Sequence, residues 1–133
     1  MTIKLNGSLY HGTSNAASIL IVGDNGFKAP IYLTSDKDRA IHYAKAATAY
    51  LENHAKDNKT KLIADGYAIF TFNSLPNTGE LLPDDYSPNE PDQYIYCKPI
   101  RGLRHFSIER YPLEVSPDEH LRLQCFAIGM WAR

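Results

Sequence analysis

His11 is followed directly by Gly12 and Thr13, and further along the chain stand Tyr32, Tyr43 and Gln93. A histidine can give or take a hydrogen bond near neutral pH, and a glycine lets another molecule approach its backbone. A tyrosine offers a flat face, and a glutamine amide offers both a donor and an acceptor. Together these are tools for holding and orienting a polar ligand that contains a ring. Taken singly, each has a plain structural reading: a histidine beside a strand is satisfied by backbone, and two tyrosines are core. The elements that carry these residues have to decide between the readings.

Ser8 to Tyr10 reads as the end of a short strand that delivers His11. Ser14 is a good N-cap, and the apolar run to Val22 predicts a short helix that stops at Gly23 and Gly26. Ile31 to Thr34 (IYLT) is a β-rich tetrad, and Ser35 then caps a long helix over about Asp36 to Ala55, with Ala40, Tyr43, Ala47 and Tyr50 on one face. After the polar KDNKTK turn, Gly66 to Phe72 alternates as an aromatic strand. Residues 74–92 carry four prolines and five carboxylates and read as a long acidic loop. QYIYCKP resumes a strand at Gln93, a basic segment IRGLRHFSIERY follows, and HLRLQCFAIGMW reads as a closing strand. The order predicts a single α+β domain over residues 1–133, with a split mixed or antiparallel β core and its helices early.

A chain of 133 residues buries a real core in one domain. Its 44% hydrophobic and 22% charged residues exclude disordered and fibrous classes. The formal net charge of −1 provides no overall field for nucleic acid or an anionic membrane, so such a partner needs a local patch. Cys97 and Cys125 lack metal-ligand spacing and read as free thiols in a reducing cytosol. MTIKLNGSLY lacks the apolar run of a signal peptide, and no stretch approaches the ~20 apolar residues of a membrane span, so a cytoplasmic protein with no membrane partner is expected. His42 and His54 are twelve residues apart on the long helix, too far to share a metal, and His105 and His120 lack partners at ligand spacing. No metal site is expected.

His11-Gly12-Thr13, then Tyr32 in IYLT, Tyr43 eleven residues on, and Gln93 opening QYIY together resemble the ADP-ribosyltransferase family. The likeness is to its diphtheria-toxin and poly(ADP-ribose) polymerase branch, whose mark is a histidine, a tyrosine and a glutamate on three core strands. It spans residues 9 to about 98. The resemblance implies NAD as co-substrate. NAD carries its own leaving group, because nicotinamide departs neutral and leaves an oxocarbenium-like ribose, so the protein mainly positions. By that resemblance His11 meets a hydroxyl of the adenosine ribose and the Gly12–Thr13 backbone reaches the nicotinamide carboxamide. Tyr32 and Tyr43 sandwich the nicotinamide ring. His11, Tyr32 and Gln93 form the catalytic set.

Gln93 departs from the family's glutamate. Its amide can bridge the 2′-hydroxyl of the nicotinamide ribose but brings no charge and no base, which implies single-unit transfer rather than chain elongation. Glu90 or Asp92 could supply a carboxylate, although Asp92 alternates onto the opposite strand face. Lys98, Arg101, Arg104, His105 and Arg110, interleaved with Phe106 and Tyr111, put cations and stacking rings near the site if that segment curls back, or else form a solvated strand face. The acceptor is then a macromolecule, with RNA or DNA narrowly ahead of protein. A small transferase of this kind suits a microbial toxin with an inhibitory antitoxin protein as partner. An NAD glycohydrolase and a catalytically weak NAD- or ADP-ribose-binding module stay open beside it.

Overall fold

The computed structural model describes residues 2–58, 66–76, 79–84 and 92–131. Its architecture is α+β. Strand β1 (Thr2–Ser14) is long and central, and β4 (Gly66–Pro76) pairs with it antiparallel, with a register shift between Lys4 and Leu9. On the other side of β1 lie β3 (Ile31–Thr34), β6 (Gln93–Tyr96) and β5 (Leu81–Pro83), while β8 (Phe106–Pro112) borders β4. The sheet order is β5-β6-β3-β1-β4-β8, and every recorded pair is antiparallel, so the mixed component of the expectation is absent from these ladders. A second ladder joins β2 (Gly26–Phe27) to β7 (Ile100–Arg101).

Alternation along the strands divides the core. Leu9, Phe70, Phe72, Leu33, Ile31 and Tyr96 pack on one face against Phe27 and Ile100 of the small ladder and Ile21 of helix α1 (Asn15–Gly23). Burying each large side chain of this kind contributes ~1.5–3 kcal/mol. Tyr10, Tyr67 and Ile69 pack on the other face against Ala40, Ala44 and Ile41 of helix α2 (Lys37–Asn58). Gly12 shares that face, and a Cβ on it would stand 1.9 Å from the Ala40 carbonyl oxygen. The glycine is therefore what lets α2 lie on the backbone of β1.

Helix α2 is buried on two sides, which its alanines permit. Ala40, Ala44 and Thr48 face the sheet, with the Thr48 hydroxyl 3.1 Å from the Gly66 carbonyl, and Ala46 and Ala49 face helix α3 (Pro117–Trp131). Of the expected stripe, Ala40 joins the buried sheet face, whereas Tyr43, Ala47 and Tyr50 are half-buried along the flank between the two faces. Asp36, not Ser35, caps the helix: its Oδ1 accepts from the Asp38 and Arg39 amides at 3.0 and 3.4 Å.

Three further expectations are corrected. The strand carrying His11 does not end at Tyr10 but continues to Ser14, whose Oγ then caps α1 by accepting from the Ala17 amide at 3.1 Å. Within the expected loop, Ser74 to Pro76 extend β4 and Leu81 to Pro83 form the edge strand beside β6; Glu90 lies outside the described residues. The closing strand over HLRLQCFAIGMW is instead α3. Its buried residues are Leu123 and Ala127, four apart, whereas Leu121 is 59% exposed, so the alternation of apolar types has no alternating burial behind it. Ser116, with Glu119 three residues on and Pro117 at the first helical position, is a helix-start pattern, and its Oγ accepts from the Glu119 amide at 3.2 Å.

Candidate functional site

The strands β1 and β3 pair at Tyr10–Thr34 alone. Beyond that point β1 runs on through His11, Gly12 and Thr13 held by β4, at Phe70, Ile69 and Ala68, without a ladder to β3. One contact crosses the parting: His11 Nδ1 donates to the Tyr32 carbonyl at 2.8 Å. A carbonyl can only accept, so Nδ1 bears the proton, and Nε2 of the neutral ring is an acceptor. Burial pulls the His11 pKa below the ordinary histidine value, opposed in part by the bond to Tyr32. Phe27 meets the ring edge-on at 5.2 Å and Phe70 lies at 6.2 Å, and these apolar neighbours disfavour the charged form.

His11 points to the Phe70 face. There a cavity of about 290 Å³ opens between α1 and β3, bounded by His11, Leu20, Phe27, Ile31 and Tyr32, with Asp24 and Lys28 at its border. Leu20 is 70% exposed, an unusual position for a leucine beside a concave surface.

The opposite face carries a row of neighbours, Tyr10 beside Thr34 beside Gln93. Tyr32 shares this face and is 47% exposed. Gln93 is 6% exposed, and its Nε2 has no hydrogen-bond partner among the described residues. Its surroundings are tightly tied. Asp92 Oδ2 accepts from Arg39 Nε at 2.8 Å and from Thr34 Oγ1 at 3.2 Å, and the Ser35 amide donates to the Asp92 carbonyl at 3.0 Å. These bonds fasten the start of α2 to the start of β6. The Asp92 carboxylate thus turns toward Thr34 and Arg39 rather than away from the face of Gln93, and it is held in an ion pair.

Tyr43 sits on α2, about 200° around the helix from Lys45, whose ammonium lies 5.9 Å from the Tyr67 ring of β4. Since β3 and β4 flank β1 on opposite sides, Tyr43 occupies the flank toward β3. Phe126 of α3 stacks on it at 5.8 Å and 22°. Tyr43 does not line the cavity beside His11.

His11, Tyr32 and Gln93 therefore stand on three hydrogen-bonded neighbours, β1, β3 and β6, with Gly12 and Thr13 in line. They do not share a face: His11 projects to one side of the sheet, and Tyr32 and Gln93 to the other. A ligand touching all three has to reach both faces of the sheet. The basic segment does not gather at this place. Arg110 and Tyr111 belong to β8 at the far edge, with Arg110 Nε donating to Asn15 Oδ1 at 2.9 Å, and Arg101 pairs through backbone with Gly26 at the cavity. His105 is buried, with Nδ1 and Ser74 Oγ 2.9 Å apart. Among the described residues no group of three His, Cys, Asp or Glu could hold a metal ion, Cys97 and Cys125 are unbridged, and no helix is long and apolar enough to cross a membrane.

Leu20, Phe27, Asp24 and Lys28 escape a reading of the sequence because nothing in SILIVGDNGFK separates a cavity wall from a core helix and its turn. The Asp92–Arg39 pair joins residues 53 apart in the chain, with no local pattern to announce it. Comparison with family models, curated proteins and solved structures gives no match for this chain.

Proposed function

We propose that the chain is an NAD-dependent mono-ADP-ribosyltransferase that transfers one ADP-ribose unit to a macromolecule and releases nicotinamide. The observation that carries this reading is the set His11, Tyr32 and Gln93 on three adjacent strands, two of which part at the histidine. NAD is long and has two chemically different ends, which suits a site whose polar groups lie on both faces of a sheet. The adenosine end would sit in the cavity beside His11, with Nε2 accepting from a ribose hydroxyl. The nicotinamide end would pass to the face of Tyr32, Tyr43 and Gln93.

In the reaction the bond between the ribose C1′ and the nicotinamide nitrogen breaks, and its electron pair leaves with the ring, which becomes neutral. The acceptor atom forms the new bond to C1′ and loses its proton to solvent or to a group of its own. Gln93 orients the 2′-hydroxyl through the amide whose Nε2 has no partner among the described residues, and the Tyr43 ring orients the leaving ring. No charge is supplied to the cation by Gln93, which supports single-unit transfer. Arg101, held beside the cavity by its pairing with Gly26, favours a nucleic-acid acceptor over protein.

The test is incubation with NAD, following free nicotinamide and label from adenine-labelled NAD, with and without cell RNA, DNA and protein. Acceptor-stimulated release with labelled macromolecule supports a transferase. Release without label would make the chain an NAD glycohydrolase, and binding without release would make it a binding module.

A further inference from the structure

Two charged side chains border the cavity beside His11, Asp24 at the end of α1 and Lys28 just beyond the glycine turn, and both are exposed. The turn is built to hold them there. Gly26 adopts φ +144°, a Cβ on it would stand 1.9 Å from the Ile100 carbonyl oxygen, and the Gly102 amide donates to the Asn25 carbonyl at 2.7 Å. Asp24 is fixed in its turn by its amide, which donates to the Leu20 carbonyl at 2.9 Å. Leu20 stands beside the same cavity and is 70% exposed, an apolar surface that a flat ring laid in the cavity would cover. The volume, about 290 Å³, lies at the small end of ligand cavities and holds one half of a dinucleotide, not the whole.

Resting on the NAD-binding reading above, we infer that Asp24 is a specificity residue that selects an adenosine ribose with a free 2′-hydroxyl, and that Leu20 covers the base. A carboxylate accepts hydrogen bonds from ribose hydroxyls and repels a phosphate in their place. His11 adds no cation to offset that repulsion, since burial among Phe27 and Phe70 favours its neutral ring. Lys28, at the border of the cavity, serves the diphosphate that NAD and NADP share.

The experiment is calorimetric titration of the whole chain with NAD, NADP, ADP-ribose and nicotinamide, for wild type, Asp24→Asn, Asp24→Lys, Leu20→Ser and Lys28→Gln. Wild type binds NAD at least ~10-fold more tightly than NADP. Asp24→Asn brings the two within about threefold and Asp24→Lys favours NADP, while free nicotinamide binds all of them alike. Leu20→Ser weakens NAD and ADP-ribose in parallel, and so does Lys28→Gln, with the NAD to NADP ratio kept in both. Wild type that binds NAD with a ratio untouched by Asp24→Asn and Asp24→Lys overturns the role of Asp24 and leaves the NAD reading standing. Wild type that binds neither NAD nor ADP-ribose overturns both.

Discussion

An amide nitrogen buried without a partner costs about 1–3 kcal/mol, and among the described residues Gln93 Nε2 has none. Under the proposed function a ligand hydroxyl meets that nitrogen, and two variants test the role. Gln93→Met, of similar volume, should leave the melting temperature unchanged or raised while nicotinamide release falls at least ~100-fold; a large loss of stability with activity retained would make Gln93 structural. Gln93→Glu puts a carboxyl group in a buried place, where desolvation raises its pKa, so its hydrolysis of NAD should climb with pH where wild type is level. A pH-independent rate for that variant would place residue 93 away from the developing cation. His11 titrates in the other sense. Its pKa is held down, so the acceptor Nε2 survives below the ordinary value of 6.5, and NAD affinity should stay level from pH 8 to 6.5 and fall only at lower pH. An affinity that rises as pH falls through 6.5 would mean that a charged histidine binds the cofactor.

At the scale of elements, the placing of Tyr43 depends on two helices, since α2 carries the ring and α3 backs it through Phe126. Tyr43→Ala and Tyr32→Ala should each cut nicotinamide release at least ~10-fold, the loss of ~1.4 kcal/mol of oriented binding, while Tyr50→Ala, which empties the packing against Leu123 and Ala127, should cost stability instead. If Tyr32→Ala and Tyr43→Ala stay folded and turn over normally, the two rings take no part in holding nicotinamide. The C-terminal helix itself hangs on its first turn: Ser116→Ala should lower stability by about 1 kcal/mol, read as a shift in the urea midpoint. The elements were unequally legible in the sequence. IYLT and QYIY coincide with β3 and β6 because β-branched and aromatic residues lie there between turns, and Ser14 starts α1 where a cap is needed. Helix α3 was hidden because Leu121, Leu123, Cys125 and Ala127 alternate in type, and the Ser116 to Glu119 pattern that contradicts a strand is short. Gly12 was noticed for the right reason, close approach, but the neighbour that approaches is the backbone of α2. The parting of β1 from β3 leaves no trace in residue types, since it follows from where two strands stop pairing.

For the molecule as a whole, acid should weaken the fold through its histidines. Two histidines, His11 on β1 and His105 in the turn before β8, have lowered pKa values. His11 is disfavoured as a cation by burial, and His105 by burial and then by Arg104, whose Nε donates to its Nε2 at 3.3 Å. In the unfolded chain both return to about 6.5. Between that value and their lower folded values the unfolded state binds more protons, so stability rises with pH across this window. The stability they contribute is full above 6.5 and is lost as pH falls toward the folded pKa. Glu109 acts lower still: the Tyr111 hydroxyl, and then Lys37, hold its pKa below 4.5, so its contribution is intact throughout the histidine window. Urea unfolding at pH 7.5, 6.0 and 5.0 should therefore show a midpoint that falls between the first and the last. His105→Asn keeps a side-chain amide near Ser74 and has no proton to bind, so it should flatten part of that slope, and the remainder should vanish when His11→Asn is added. A slope unchanged in the double variant would mean that other groups, and not these two rings, govern the acid side of the fold.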